Sequence, residues 1–178
     1  YNKIEIAISD FGTIQDKDYI ELGETIQTRY YRSPEILLGC KYNQKIDVWS
    51  IGCMLYELVT DRILFRPSSD DDYSTDQDHL NAIINVCGEI PKKMIQNSVN
   101  RKHFYDIKNS SNEKYVLKYR EKEEVEISSL LKKYREQESD TSEFKIINSL
   151  ITTMLIIDPR KRPSTKTLLL ALNQFLKN

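Results

Sequence analysis

The sequence predicts a mainly α-helical fold with one short strand near its N-terminus. Apolar residues recur at helical spacing over residues 44–60 and 144–157, and a last helix is expected from about 165 to 176. Residues 3–9 instead alternate isoleucine with polar residues, which is the period of a half-buried strand. Because 178 residues can bury a real core, we expect one domain built on these helices.

Composition excludes several function classes. The net charge of −1 gives no overall attraction to nucleic acid or membrane, so we expect neither partner, and a monomer. Three cysteines without C-x-x-C spacing indicate a reducing intracellular compartment, which we take as the cytoplasm with the nucleus as a second site. No apolar stretch of about 18 residues and no charged-then-apolar leader is present, so we expect neither a membrane span nor a signal peptide.

The strand over residues 3–9 delivers Asp10 to its C-terminal end. An Asp before Phe-Gly is, on its own, equally well explained as a turn residue. The polar residues 13–27 follow, a loop long enough to be functional. Ser33 precedes a proline and is expected to be extended, whereas Pro34 is suited to start a short helix.

The helix predicted over residues 44–60 should be the centre of the domain. Asn43 is suited to cap it. Its apolar residues lie nearly all round the helix, so we expect it to be buried. Gly52 in its middle indicates that another backbone packs closely there. Asp47 in the first turn is expected at least to stabilise the helix dipole.

An acidic loop over residues 68–79 leads into an apolar helix over 80–86. Most charge runs of this kind are solvated loops. With only His79 and His103 as histidines, we expect no metal site built on histidine. Residues 92–140 are highly charged and predict an insert with short helices, the best over 127–134, or else a flexible linker.

The C-terminal part is predicted more clearly. Residues 158–164 break the helix over 144–157. Ser164 is then suited to cap the last helix.

Two motifs with their spacing resemble the activation segment of eukaryotic-type protein kinases. These are Asp10-Phe11-Gly12 and, some twenty residues later, Ser33-Pro34-Glu35. The eight residues Thr28–Glu35 are similar to the CMGC group, which contains the cyclin-dependent, mitogen-activated, dual-specificity Tyr-regulated and SR-protein kinases.

Two later motifs extend the resemblance over essentially the whole chain. Asp47-x-Trp49-Ser50-x-Gly52 resembles the central helix of the kinase C-terminal lobe, and residues 158–164 resemble the segment before the final helix. The resemblance implies a partial kinase domain over 1–178, beginning at Asp-Phe-Gly, with the N-terminal lobe and the catalytic loop absent. Its expected parts are the strand and activation segment, the central helix with the acidic loop and next helix, a charged insert, and a terminal helix pair, which cover residues 1–36, 37–91, 92–143 and 144–178.

The resemblance also implies how the chain takes part in catalysis. Asp10 would bind the Mg²⁺ that bridges the ATP phosphates, so the expected cofactors are ATP and Mg²⁺. Phe11 would pack beneath Asp10, and Gly12 would allow the sharp turn. The catalytic base would lie upstream, so no catalytic base is expected in this chain and the fragment alone would be inactive.

Substrate-facing roles follow from the same comparison. Thr28 would hydrogen-bond the catalytic loop, and Arg29 and Arg32 would face the substrate. Arg32 in particular would shape the pocket for the residue after the target Ser. Asp47 would bond the backbone of the catalytic loop.

Structural roles are implied for three further residues. Trp49 belongs to the central-helix motif. Glu35 would form a buried pair with Arg162, a kind of pair that costs about 3–5 kcal/mol to break singly.

Residues 64–67 and 73–79 are similar to the SR-protein kinases in particular. In that family an acidic groove beside the following helix binds Arg/Ser-rich substrates. Asp78 matches one acid of that groove, whereas the second acid is replaced by Asn85. The implied partners are therefore Arg/Ser-rich protein substrates.

The expected function is a Ser/Thr protein kinase of SR-protein-kinase type. Constitutive activity is expected, because Gly23-Glu24-Thr25 replaces the Tyr-x-Tyr of the Tyr-regulated relatives. Two alternatives stay open at this point. One is a kinase of the dual-specificity Tyr-regulated type; the other is a non-catalytic module that docks basic peptides through residues 70–78.

Overall fold

The computed structural model describes residues 5–12, 14–15, 22–108, 114–134 and 141–175, and these are mostly helical. A 3₁₀ turn, η1, spans Arg29–Tyr31. The helices are α1 (Pro34–Leu37), α2 (Lys45–Thr60), α3 (Thr75–Cys87), α4 (Lys92–Asn97), α5 (Arg101–Phe104), α6 (Ile127–Tyr134), α7 (Ser142–Met154) and α8 (Thr165–Phe175). The strands are β1 (Tyr105–Lys108) and β2 (Lys114–Leu117).

Helix α2 is the centre of the packing, as predicted. Trp49 and Cys53 on its inner side are buried, and α7 packs along it. A Cβ added at Gly52 would lie 2.9 Å from the Cβ of Met154, so the glycine is needed for the close approach of α7. The predicted cap is off by one residue, because the N-cap position is Gln44, which makes no side-chain cap hydrogen bond. Asn43 lies one residue earlier, and its side-chain oxygen accepts from the Lys45 backbone N–H at 2.9 Å.

The other side of α2 corrects the prediction that the helix is buried nearly all round. Ile51, Met54 and Leu58, spaced three and four residues apart, are 45%, 47% and 79% exposed. No element in the described part of the chain covers this stripe. We call it the outer α2 face.

The strand predicted over residues 3–9 is wrong where the structure describes it. Residues 5–12 form neither helix nor strand, and Ile6 and Ile8 are 90% and 83% exposed. A strand needs a neighbour to complete its backbone hydrogen bonds, and the strands seen in the described residues pair only with each other. Residues 3 and 4 lie outside the described residues.

Helix α3 begins five residues before its predicted start. Ser74 and Gln77 form a reciprocal capping box, in which each side chain accepts from the backbone of the other. This box extends the helix through the polar residues that precede its apolar part.

The insert is ordered where it is described, which argues against a flexible linker there. Helix α6 confirms the short helix predicted over 127–134. The antiparallel hairpin of β1 and β2, with Tyr105 opposite Leu117, was not predicted. Strands of four residues are too short to show a clear alternation of apolar and polar residues.

The C-terminal helices agree closely with the prediction. Thr141 caps α7, and Ser164 accepts from the Thr167 backbone N–H at 3.2 Å at the start of α8. The predicted end of α8 at 176 lies outside the described residues.

The cysteines are free thiols that contact the core. The Cys40 thiol donates to the Met94 carbonyl at 3.4 Å. Burial raises the pKa of Cys40 to about 11 and that of Cys87 to about 12. Cys53 is also fully buried.

Among the residues described, no helix combines the length and the apolar character needed to cross a bilayer.

Candidate functional site

The segment from residue 27 to residue 35 lies across α2 and is fixed to it by side-chain hydrogen bonds. Gln27, with a left-handed φ of 67°, donates to the Ile46 carbonyl at 2.9 Å and to the Ser50 hydroxyl at 2.7 Å. Its side-chain oxygen accepts from both the backbone N–H and the hydroxyl of Ser33, at 3.0 and 3.1 Å. Gln27 therefore joins both ends of this segment to the central helix.

Two further contacts hold the middle of the segment. The Ser50 hydroxyl donates to the Tyr31 carbonyl at 3.0 Å, and the Tyr31 hydroxyl donates to Glu57 at 2.7 Å. The hydrogen bond to the Glu57 carboxylate, with burial, raises the pKa of Tyr31, so this phenol stays a donor at neutral pH.

The two arginines predicted to face substrate have different surroundings. Arg32 is buried and donates to the carbonyls of Ile26 and Gln27 at 3.2 and 3.1 Å. Arg29 is partly exposed and forms an ion pair with Asp76 of α3 at 2.6 Å. The same Asp76 oxygen lies 3.9 Å from Arg32. Asp76 thus ties both arginines to the start of α3.

Burial and the nearby Arg29 lower the pKa of Arg32, while Asp76 acts in the opposite direction. A guanidinium starts from so high a pKa that it stays charged despite such shifts. Thr28 is exposed and Arg29 is partly exposed on this segment, whereas Arg32 is buried beneath it. Roles in substrate binding for these three residues stay predictions.

The predicted buried pair of Glu35 and Arg162 is present. Both side chains are fully buried, and the guanidinium makes two hydrogen bonds to the carboxylate, at 2.7 and 3.0 Å. Arg162 also donates to three backbone carbonyls, among them Lys45 at 2.9 Å, and lies 5.1 Å from the ring of Trp49. It therefore joins the end of the segment, the start of α2 and the turn before α8.

The Asp10-Phe11-Gly12 motif is not packed in the way its resemblance implied. Phe11 is 61% exposed, so it does not lie beneath Asp10 against other residues. The chain does turn here, since the Ile14 backbone N–H donates to the Phe11 carbonyl at 3.1 Å. The left-handed φ, however, falls on Asp10, at 63°, and not on Gly12.

The chemistry of Asp10 fits a hard cation. Its carboxylate is exposed and supplies the oxygen ligand that Mg²⁺ prefers. The described residues contain no cluster of three or more His, Cys, Asp or Glu side chains that would form a protein-only metal site. That donor set suits a cation held mainly by other ligands, such as phosphates and water.

Asp47 lies in the first turn of α2. Its side chain is exposed, but desolvation by the surrounding protein raises the pKa of its carboxyl. A bond from Asp47 to a catalytic loop stays a prediction.

The acids predicted to dock substrate are partly used within the fold. Asp78 accepts from the backbone N–H of Ser68 at 2.7 Å, so it holds the acidic loop against α3. At the second position, the Asn85 side-chain amide donates to the Glu121 backbone carbonyl at 2.8 Å. The Asn85 backbone carbonyl accepts from the Val125 backbone N–H, so Asn85 fixes the insert to α3. The acidic side chains of Asp71 and Asp72 remain on the surface.

Sequence reasoning missed three residues that organise the segment, namely Gln27, Ser50 and Asp76. Ser50 is part of the central-helix motif recognised in the sequence. It lies one helical turn after Ile46, and this position could have identified it as a residue that contacts the segment. No local sequence pattern identifies Gln27 or Asp76. The contact of Gln27 with Ser50 spans 23 residues, and the contact of Asp76 with Arg29 spans 47 residues.

The comparisons with known proteins agree with this geometry. The family model described as protein kinase domain matches residues 1–172. The chain belongs to the protein kinase family. It is 35% identical over 163 residues to the serine/threonine-protein kinase SKY1 of Saccharomyces cerevisiae, covering 90% of this chain and 21% of that protein.

Two other relatives are of the same kind. The chain is 33% identical to human SRSF protein kinase 3, covering 92% of this chain and 27% of that protein. It is also 33% identical to the serine/threonine-protein kinase SRPK of Physarum polycephalum, covering 90% of this chain and 36% of that protein. The chain is therefore SR-protein-kinase-like, and it spans only about a fifth to a third of the length of these relatives.

Proposed function

We propose that the chain supplies the substrate-facing part of an ATP- and Mg²⁺-dependent Ser/Thr protein kinase that phosphorylates Arg/Ser-rich proteins. The observation that carries the proposal is the segment over residues 27–35. Gln27 fixes its beginning and the buried Glu35–Arg162 pair fixes its end. Such a fixed segment beside Arg29 and Arg32 is suited to hold a peptide in one position for phosphate transfer.

Each group has a stated part in the proposed reaction. Asp10 would hold the Mg²⁺ on the ATP phosphates, where the ion neutralises the developing negative charge. Thr28 and the two arginines would position the substrate next to it. The catalytic base belongs to a His-Arg-Asp motif that these 178 residues do not contain, so the fragment alone would not transfer phosphate. We accordingly assign residues 1–178 to part of a kinase domain.

The preference for Arg/Ser-rich substrates rests on the acidic loop. Asp70, Asp71 and Asp72 are exposed and adjacent, whereas Asp76 and Asp78 are engaged by Arg29 and Ser68. Docking of a basic peptide would therefore depend mainly on residues 70–72. Replacement of the second groove acid by Asn85 weakens the expected docking.

The experiment is a phosphate-transfer assay on the full-length protein with an Arg/Ser peptide. Asp10→Ala should lower the rate about a thousandfold, since a metal clamp supplies several kcal/mol to the transition state. Peptide affinity should be unchanged. Asp106→Ala, which removes an exposed carboxylate on β1, is the matched control and should keep full activity. Full turnover by the Asp10 variant would disprove the role of Asp10.

Measurements of peptide binding on the same full-length protein separate catalysis from docking. Neutralising Asp70, Asp71 and Asp72 together should weaken Arg/Ser peptide binding and reduce its salt dependence. If the wild type binds the peptide but transfers no phosphate, the function is a non-catalytic docking module instead.

A further inference from the structure

A single carboxylate lies between two arginines where the segment over residues 27–35 meets α3. The Oδ1 atom of Asp76 lies 2.6 Å from Arg29 Nη1 and 3.9 Å from Arg32 Nη1. The side chains of Arg29 and Asp76 are 38% and 42% exposed, whereas that of Arg32 is 9% exposed. A peptide on this segment would therefore meet mainly the Arg29–Asp76 pair.

The first turn of α3 fixes the position of Asp76. Residue 76 lies between Ser74 and Gln77, whose side chains form the reciprocal capping box. The His103 carbonyl accepts from the Gln77 side chain at 3.0 Å, and the His103 ring nitrogen Nε2 lies 3.0 Å from the Ser74 hydroxyl. Because the capping box and α5 both hold this helix end, the carboxylate is presented from a rigid element.

Asp76 controls the orientation of Arg29 more than that of Arg32. Arg32 also donates to the carbonyls of Ile26 and Gln27, which hold its guanidinium without Asp76. For the Arg29 guanidinium, Asp76 is the one hydrogen-bond partner within the described part of the chain. Loss of the Asp76 charge would therefore release Arg29 and leave Arg32 in place.

The two arginines bear on the substrate class proposed above. An Arg/Ser repeat places an arginine next to the target serine, and like charges brought together across an interface cost affinity. With its one negative charge, Asp76 lowers the local charge of the two arginines from +2 to +1. It also draws the more exposed of the two, Arg29, toward α3.

We propose that Asp76 is a positioning residue that sets substrate specificity. By holding Arg29 and offsetting its charge, it allows an arginine directly after the target serine. The inference rests on the proposed function and concerns which peptides that function accepts. Asp76 acts through Arg29 and does not itself bind the peptide, in contrast to the docking proposed for residues 70–72.

The test compares kcat/KM of the full-length protein for three peptides that differ only in the residue after the target serine, which is arginine, alanine or aspartate. In Asp76→Asn, the ratio of the arginine peptide to the aspartate peptide should fall about fivefold, the effect of one unit charge acting across partly solvated surroundings. The change should appear mainly in KM and should diminish at high salt.

This ratio separates specificity from folding. An ion pair as exposed as Arg29–Asp76 contributes little to stability, so Asp76→Asn should fold. Any loss of folded protein would lower kcat/KM for all three peptides alike and would leave the ratio unchanged.

Two variants serve as controls. Asp76→Glu keeps the charge and should keep the ratio within about twofold of the wild type. Glu143→Gln removes an exposed carboxylate from the second residue of α7, the position that Asp76 holds in α3, and should leave the ratio unchanged. The Glu143 carboxylate accepts from its neighbour Ser142, so this change tests the loss of a helix-dipole partner away from the segment.

A double-mutant cycle tests whether Asp76 acts through Arg29. In an Arg29→Gln background, Asp76→Asn should change the ratio by less than about twofold, because the charge that Asp76 offsets is already gone. An undiminished effect would mean that the carboxylate acts on the peptide directly, and would overturn the positioning role.

Failure of this inference differs from failure of the proposed function. Turnover with a ratio that Asp76→Asn leaves unchanged, or an equal fall from Glu143→Gln, would overturn the role of Asp76 and leave the kinase function standing. If the wild type transfers no phosphate, the proposed function fails, and the ratio is then measured from peptide affinities by calorimetric titration. Affinities that Asp76→Asn leaves unchanged, or no binding of any of the three peptides, would overturn the inference in that case.

Discussion

The two faces of α2 show that an apolar sequence alone does not decide burial. The inner face, with Trp49 and Cys53, is buried against α7, Phe65 and the Arg162 guanidinium. The outer α2 face carries side chains that are equally apolar, yet Leu58 is 79% exposed. The two faces differ in whether another element packs on them, and not in how apolar their own side chains are. Stability should therefore depend strongly on the inner face and hardly on the outer one.

The largest effect is expected from Arg162→Met. This change leaves the Glu35 carboxylate buried without its partner, which should destabilise the domain by about 3–5 kcal/mol. Urea unfolding followed by the fluorescence of Trp49 measures it. Adding Glu35→Gln should recover part of the loss.

The control for Arg162 is its neighbour Arg160. Arg160 pairs with Asp158 at 2.6 Å but is 60% exposed, so Arg160→Met should change stability little. Equal losses from the two variants would show that burial of the pair is not what matters.

The second effect concerns His79, which is fully buried beside Phe65 under the inner face. Burial, and then the charges of Arg32 and Arg29, lower its pKa from 6.5 to about 3. Below pH 6.5, His79 is protonated in the unfolded chain but stays neutral in the folded chain. Stability should therefore fall as the pH falls, by about 2 kcal/mol between pH 7 and pH 5.

Unfolding midpoints at a series of pH values test this, with His79→Leu expected to remove that part of the pH dependence. His103→Gln controls for losing a histidine from the surface. An unchanged slope in the His79 variant would assign the pH dependence to other groups.

A smaller effect is expected from Gly52→Ala. The new methyl would meet the Cβ of Met154 at 2.9 Å, and this overpacking costs about 1–3 kcal/mol. The higher helix propensity of alanine offsets about 1 kcal/mol of this loss in stability. We expect a net loss of about 1 kcal/mol in urea unfolding, and a gain in stability would contradict the close approach of α7.

The smallest effect is expected on the outer α2 face. Leu58→Ser should change the stability of the 178-residue chain by no more than about 0.5 kcal/mol, as is usual for exposed positions. Repeating the measurement in the full-length protein sharpens the comparison. A much larger loss there would mean that another segment covers this face.

The sequence predicted the parts of the fold that rest on local patterns or on recognised motifs. The close approach at Gly52 and the pair of Glu35 with Arg162 were both confirmed. The strand over residues 3–9 had a clear pattern and still failed where it is described. Alternation shows that one face is apolar, but it cannot supply the neighbouring strand.

The site was predictable to a smaller extent. Arg29 and Arg32 were identified, but their shared partner Asp76 was not. Gln27 looks like an ordinary polar loop residue in the sequence, and only the fold brings it to Ser50. Long-range polar contacts of this kind leave no periodicity for a sequence pattern to reveal.

The buried thiols have a practical consequence. Only the thiolate reacts quickly with alkylating reagents, and the raised pKa values of Cys40 and Cys87 keep both thiols protonated in the folded chain. Cys40 and Cys53, which are buried, therefore become reactive only when the structure around each of them opens. Pulse alkylation read by mass spectrometry would time the opening of the α4 contact at Cys40 separately from that of the inner face at Cys53, without any introduced probe.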